Sequence, residues 1–211
     1  MKSSKLLFRR LSAAAFTIAG VFFVLYPAIR PFSDEVSLEG AAAFASNNWI
    51  VAHMLAMVAF TLLLFGMVAL VDSLEGTKGA QMGSWALLIS VIGVGLTLPF
   101  YGGEAYGLHA VGIEAMKEQN AALLSLATTI RSGAGLVMFL FALLALAFGT
   151  IMLAIAIWRS GSYPRWSGSV LAAGVALYMP QFFGNQPLRI AHGVIMLIGC
   201  VWLAILLWPE D

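Results

Sequence analysis

Residues 49–71 read WIVAHMLAMVAFTLLLFGMVALV and contain no aspartate, glutamate, lysine or arginine. A helix needs about 20 mostly apolar residues to cross the hydrocarbon core of a bilayer. Buried strands are much shorter than this run, at roughly four to eight residues. The segment therefore predicts a membrane-spanning helix.

The composition extends this prediction to the whole chain. Of 211 residues, 61% are hydrophobic and 10% are charged, whereas soluble domains carry about 25% charged residues. The net charge of +1 and the lack of a basic run give no sign of a nucleic-acid partner. We expect one all-α integral membrane domain over residues 1–211, a six-helix transmembrane bundle with no room for a separate soluble domain. The predicted spans cover about residues 11–29, 49–71, 82–101, 133–158, 168–183 and 189–208.

The distribution of lysine and arginine predicts the orientation of the bundle. A basic N-terminal stretch before an apolar one is also typical of a signal peptide, but the apolar run continues to residue 29, which favours a retained helix. Cytoplasmic loops carry an excess of lysine and arginine. With the N-terminus inside, seven of the 11 basic residues lie on the inner side and four on the outer side. This predicts both termini in the cytoplasm, and we expect a prokaryotic plasma membrane as the location.

The connections outside the predicted spans are short, with one exception. The outer connection covers residues 102–130, and the apolar residues of its latter part, 113–130, have helical spacing. This part predicts an amphipathic helix that lies along the membrane interface.

The phrase A-H-x-x-x-M occurs twice, in IVAHMLAM around His53 and in RIAHGVIM around His192. Each histidine lies a few residues inside the outer end of an apolar run. An ionisable side chain inside a bilayer is costly, so its presence there indicates a functional site. A matched pair at one depth predicts two ligands that converge on one bound group.

A second pattern relates the ends of the helices that run outward. Residues 93–99 read GVGLTLP and residues 174–180 read GVALYMP, and the first helix has a similar proline ending. Each of these helices is followed by a histidine, namely His53, His109 or His192. The pattern predicts three repeated helical hairpins, an arrangement in which sites often form where repeats meet.

The paired histidines lead to a first hypothesis, a haem b held by His53 and His192 between helices 2 and 6 in the outer leaflet. Two neutral imidazoles from facing helices are the ligands that such a haem needs. Arg189 lies about one helical turn before His192, so its guanidinium would pair with a haem propionate. Arg131 would pair either with Glu104 or with an anionic group in the same pocket. The function would be electron transfer to or from a quinone or another redox partner, or the sensing of a gas or redox state.

Residues 190–196, IAHGVIM, resemble the H-G-x-x-M phrase on the haem-ligand helix of subunit I of the haem–copper oxidases. The resemblance is confined to these residues, and it implies that His192 is an axial ligand of a low-spin haem. His53 carries only A-H-x-x-x-M, with Met54 in place of the glycine. The copper-site histidines of that family have no counterpart in this sequence, so oxygen reduction is not implied.

A metal-dependent membrane enzyme is the second hypothesis. A bend at residues 99–103, where proline and two glycines occur, would let the following residues fold back toward the membrane. Three histidines and one carboxylate would then form a ligand set for zinc, iron or copper. The members of this set are His53, Glu104, His109 and His192.

The third hypothesis is a carrier or receptor with an outward-facing pocket. Polar residues collect at the outer ends of the predicted helices, whereas the inner halves are almost purely apolar. Arg131 and Arg189 would hold an anionic or lipid-like ligand there. None of the six runs has a carboxylate at its centre, where a proton-driven transporter would normally have one.

Overall fold

The computed structural model describes residues 2–209, with side chains from residue 4, and in this range the chain is helical without strands. Five helices are long and apolar enough to cross a membrane, namely α1, α3, α4, α7 and α9. The predicted all-α architecture with several helices of membrane-spanning length is therefore confirmed, whereas the count of six spans and the cytoplasmic location of the termini stay predictions. In chain order the helices are α1 (Lys2–Ile29), α2 (Leu38–Ala45), α3 (Asn47–Asp72), α4 (Ala80–Gly102), α5 (Leu108–Glu118), α6 (Ser125–Ile130), α7 (Gly133–Ser160), α8 (Ser169–Ala176) and α9 (Gln186–Leu207).

The long helices and α8 pack as a closed ring. α1 packs between α3 and α9, α4 packs between α3 and α7, and α8 joins α7 to α9. α4 and α7 run antiparallel, because Phe100 near the end of α4 stacks on Phe139 near the start of α7 at 4.1 Å between ring centroids. Large apolar side chains such as Phe141 and Phe148 are exposed on the outside of the ring, as expected for a surface that faces lipid. Consecutive spans therefore pair as predicted for hairpins, while the internal repeat stays a prediction.

The predicted fifth span, residues 168–183, is not a continuous helix. α8 ends at Ala176, and after a turn the chain forms a short 3-10 helix at Pro180–Phe183. The α-helical ladder fails at Tyr178, whose N–H donates to Val175 three residues earlier, and Pro180, which has no backbone N–H, cannot restore it. The apolar composition was sufficient to predict burial of this segment but not its helical continuity.

The third long helix continues beyond the length of a membrane. A π turn at Gly103–Gly107 joins α4 to α5 without interruption, giving a helix of 39 residues. At 1.5 Å per residue it is about 58 Å long, which exceeds the roughly 40–45 Å of a bilayer with its headgroups. The chain therefore does not bend back at residues 99–103, and α5 extends past the end of the bundle.

A small second core covers this end of the bundle. α2 packs on α5, and the 3-10 helix Ala121–Leu124 and α6 complete the cluster. A side-chain carbon on Gly112 of α5 would lie only 2.6 Å from the Phe44 side chain of α2, so glycine is needed for this close approach. Instead of the single interfacial helix predicted over residues 113–130, α5 ends at Glu118, the next residue, Gln119, has a left-handed φ of 52°, and two short helices follow. We call α2, α5, α6 and this 3-10 helix the cap, and the side that carries them the cap end.

Candidate functional site

His53 is buried on α3 near the cap end. Its Nδ1–H donates to the Trp49 carbonyl at 2.7 Å, and its Nε2 lies 3.8 Å from Glu104 Oε2. The indole N–H of Trp49 donates to the backbone carbonyl of Glu104 at 2.6 Å. In an α-helix that carbonyl would accept from Leu108, but in the π turn Leu108 donates to Gly103 instead. Trp49 and His53 therefore hold α3 against the π turn.

His192 on α9 supports the break after α8. Tyr178 N–H donates to Val175 rather than to Gly174, which leaves the Gly174 carbonyl without its helical donor. The Nε2–H of His192 donates to this carbonyl at 2.7 Å. A buried backbone carbonyl without a partner would cost free energy, so this imidazole stabilises the interrupted span.

The two imidazoles do not face a common gap. Aromatic rings lie between them, since the His53 ring is 6.2 Å from that of Tyr101 and the His192 ring is 5.2 Å from that of Tyr178. The hydroxyls of Tyr101 and Tyr178 are joined by a hydrogen bond of 2.6 Å. A porphyrin would have to displace these packed rings, and His192 Nε2 would have to leave its carbonyl. The arrangement of these residues does not fit a haem between α3 and α9.

The predicted metal set is likewise not brought together. His109 lies on α5 in the cap, where its Nδ1–H donates to the Phe44 carbonyl of α2 at 2.8 Å. Of the four predicted ligands only His53 and Glu104 form a pair. Within residues 2–209, no group of three or more His, Cys, Asp or Glu side chains is placed to hold a metal ion. His109 instead joins the two main helices of the cap.

A charge network lies between the bundle and the cap. Arg131, in the link between α6 and α7, donates from Nε and Nη2 to the two carboxylate oxygens of Glu104 at 2.6 and 2.9 Å. Its Nη1 donates to Oε2 of Glu35, and Oε1 of Glu35 accepts from Arg30 Nη2 at 2.7 Å. Pairing of Arg131 with Glu104 was one of the two predicted alternatives. Glu35 and Arg30 were not predicted, although Arg30 ends the first apolar run and Glu35 follows five residues later.

The network changes the acidity of its members outside the spans. Burial alone would raise the pKa of the Glu35 carboxyl, but the hydrogen bonds and charges of Arg131 and Arg30 outweigh it and hold the pKa below its ordinary value. Burial would lower the pKa of Arg131, whereas its bonds to Glu104 and Glu35 raise it above the ordinary value. Both groups are therefore charged at neutral pH.

The network borders a cavity of about 670 Å³ at the cap end. One side of the cavity is charged and the other is apolar, because the ends of α4 and α7 and the 3-10 helix Pro180–Phe183 contribute aromatic and aliphatic side chains. Phe183, at its edge, is 93% exposed, so the cavity is open on that side. The charged lining is Arg30, Glu35, Glu104, Arg131 and Arg189; the apolar lining includes Phe100, Leu136, Phe139, Leu140, Met179 and Phe182.

Arg189 differs from the other two arginines of the cavity. It lies in the first turn of α9, which Asn185 caps by accepting from Leu188 N–H. Its Nε and Nη2 donate to the carbonyls of Gly184 and Phe182 at 3.0 and 2.7 Å, and no ion pair in the described part of the chain includes it. Ser33 also lines the cavity, and its buried Oγ has no hydrogen-bond partner among the described residues. The cavity thus offers a positive charge and a free hydroxyl.

Comparisons with known proteins give no relative from which to transfer a function. No family model, no curated protein and no solved structure matches the chain. The fold and the cavity by themselves define an α-helical protein of membrane type with a partly charged, partly apolar cavity at one end.

Proposed function

We propose that this protein is an integral-membrane binding protein, a receptor or carrier, whose cavity at the cap end takes an anionic amphiphile. The anionic group would bind at Arg189, and the apolar part would lie against the aromatic residues of α4, α7 and the 3-10 helix Pro180–Phe183. With the orientation predicted from lysine and arginine, the cavity faces the extracytoplasmic side. Clefts of about 300–1,000 Å³ with apolar walls and few polar groups are typical of small-molecule sites.

The charge of Arg189 is the observation that carries this proposal. Three arginines and two glutamates line the cavity, so the lining has one positive charge in excess. Glu104 and Glu35 neutralise Arg131 and Arg30, and every donor nitrogen of Arg131 is already used. The excess charge is therefore at Arg189, which the rings of Phe32 and Phe182 flank at 5.3 and 5.6 Å. A charge in apolar surroundings is costly without a partner, and a bound anion would supply one.

The proposal assigns different roles to Arg131 and Arg189, the two arginines that the sequence indicated as ligand-binding residues. Arg131 would shape the cavity through its carboxylate partners, whereas Arg189 would contact the ligand. A guanidinium that keeps free N–H groups while its other donors are fixed by backbone carbonyls presents a preorganised site for a carboxylate.

Laurate and dodecyltrimethylammonium, which have unbranched alkyl tails of nearly equal length and opposite head-group charge, test the proposal. In protein purified in a maltoside detergent, we expect laurate to raise the midpoint of thermal unfolding and the cation not to, since a ligand stabilises the state that binds it. Arg189→Gln should weaken laurate binding at least about tenfold, because a charge-assisted hydrogen bond is worth about 1.5–3 kcal/mol. Arg165→Gln, an exposed arginine in the loop before α8, is the matched control. Equal stabilisation by both amphiphiles, or laurate binding retained in Arg189→Gln, would contradict the proposal.

An absorption spectrum tests the haem hypothesis. Because packed tyrosines separate His53 from His192, we expect protein purified from cells with ample haem to lack a Soret band. A Soret band that disappears in His192→Ala would overturn this expectation and favour electron transfer or sensing over ligand binding.

A further inference from the structure

A second cavity, of about 600 Å³, lies in the cap beside the first one. Small and polar residues make up most of its walls, in contrast to the aromatic walls of the first cavity. The linings of the two cavities have two residues in common, Glu35 and Arg131. The remaining residues of the second cavity are Asp34, Val36, Ala121, Ala122, Leu124, Ser125, Ala127, Thr128 and Ser132.

The two shared residues are bonded to each other. Arg131 Nη1 donates to Glu35 Oε2, so this ion pair forms a partition where the cavities meet. Both side chains are partly buried, with 28% and 26% of their surface exposed, which is consistent with a position between two spaces.

Separation of this pair would leave no charge without a partner. Glu35 keeps its ion pair with Arg30 at 2.7 Å, and Arg131 keeps both of its bonds to Glu104. Breaking a buried ion pair is costly mainly because one charge is left uncompensated. After Glu35 and Arg131 separate, the network still consists of two complete ion pairs. The free energy of this separation is therefore much smaller than that of breaking an isolated buried ion pair.

The backbone on both sides of the partition is irregular. Glu35 lies in the link between α1 and α2 with φ 54°, in the left-handed region that residues other than glycine rarely adopt. Asp34 fixes the next turn by accepting from the N–H groups of Val36 and Ser37 at 3.0 and 3.1 Å. Arg131 is followed closely by Gly133 with φ 60°. Each side chain is thus carried by a link between helices, so its movement would not require a long helix to unwind.

We infer that the Glu35–Arg131 pair is a gate, and that small water-soluble molecules pass through it from the cavity of about 600 Å³, the cap cavity, into the cavity of about 670 Å³, the membrane cavity. The inference rests on the proposed function for the identity of the ligand, but the route itself can be measured without that ligand. Leu136→Cys, at a position that lines only the membrane cavity, reports entry of the uncharged, water-soluble thiol reagent hydroxyethyl methanethiosulfonate. The buried Cys200 is first replaced by alanine, so that the reagent has one target.

We expect Glu35→Gln in the Leu136→Cys, Cys200→Ala background to speed labelling about tenfold, which corresponds to about 1.4 kcal/mol in the opening equilibrium. Glu35→Asp, which keeps the charge but shortens the side chain, should give an intermediate rate, and this variant keeps the test valid if Glu35→Gln folds poorly. Glu39→Gln, an exposed glutamate on α2, is the matched control. Labelling at the same rate in Glu35→Gln and Glu39→Gln would overturn the gate and indicate entry past Phe183.

Laurate kinetics separate the gate from the proposed function. A change in the entry route alters the barrier and not the end states, so Thr128→Trp, which narrows the cap cavity at a position that does not line the membrane cavity, should lower the association and dissociation rates of laurate by the same factor and leave its dissociation constant unchanged. Arg189→Gln should instead change the dissociation constant. If labelling follows the gate variants but laurate does not bind to the wild-type protein, the gate holds and the proposed ligand class is wrong.

Discussion

Glu104→Leu is expected to lower the free energy of unfolding by about 3 kcal/mol, the cost of removing one partner from a buried ion pair. The substitution takes both carboxylate oxygens from Arg131, which would then share Glu35 with Arg30. Two guanidinium groups would compete for one carboxylate in a partly apolar environment. Reversible unfolding in mixed detergent micelles, followed by circular dichroism, measures the change.

A double variant distinguishes lost pairing from lost packing at Glu104. In Glu104→Leu with Arg131→Leu both charges are absent, so Glu35 keeps Arg30 and no guanidinium lacks a partner. We expect this protein to be more stable than the single Glu104→Leu variant, since replacing both members of a buried pair by apolar residues is often neutral or stabilising. Glu114→Gln, which removes an exposed pair with Lys117 on the same continuous helix, should have no measurable effect. A double variant less stable than the single one would show that the network is not the source of the loss.

The spans were the easiest feature to predict, because membrane thickness fixes the length of an apolar helix. Residues 49–71 and 133–158 were identified nearly to their observed ends in α3 and α7. The break after α8 was missed because an apolar sequence predicts burial but does not predict which backbone groups form hydrogen bonds. Pro180 was not a sufficient signal, because Pro99 holds the same place in the matching phrase and lies inside the continuous helix α4. The structure shows in addition a histidine on the next helix that donates to the Gly174 carbonyl.

The repeated histidine phrase predicted the depth of His53 and His192 in the bundle, but it did not predict which groups the two imidazoles contact. His53 and His192 both lie in the cap half of the bundle, as expected, but α3 and α9 pack on different sides of α1. Each imidazole therefore bonds to a carbonyl near its own helix, in the case of His53 on the same helix. Which helices contact each other depends on their order around the bundle. The position of a residue along its own helix gives no information about that order.

Contacts between residues in the links were also difficult to predict from the sequence, as the charge network shows. Arg131 and Glu104 are far apart in sequence, but Glu104 follows one predicted span and Arg131 precedes the next. Both therefore lie at the same end of the bundle, which made their pairing one of two alternatives. Glu35 was not predicted, because its role depends on a left-handed backbone conformation that nothing in its side chain favours. The excess charge at Arg189 became visible only after the partners of Arg30 and Arg131 were known.

The second large effect is expected at Gly193, the residue after His192. A Cβ atom there would lie 2.5 Å from the Phe23 carbonyl oxygen and 2.9 Å from Val24 Cα, both on the backbone of α1. Since backbone atoms cannot rotate away, α1 and α9 would have to separate along their contact. Gly193→Val should therefore lower the free energy of unfolding by about 3 kcal/mol, at the upper end of the range for overpacked cores.

A glycine in open space provides the control for Gly193. Gly95 on α4 has no atom within 4 Å of an added Cβ, so Gly95→Ala should leave stability unchanged or raise it slightly, because alanine favours the helix over glycine. The same experiment separates two explanations of the H-G-x-x-M phrase. If the glycine allows a porphyrin to approach His192, substitution should change a haem spectrum while leaving the apoprotein stable. If it allows α1 to approach α9, the apoprotein itself should lose stability, and a stable Gly193→Val protein would contradict the packing described for these two helices.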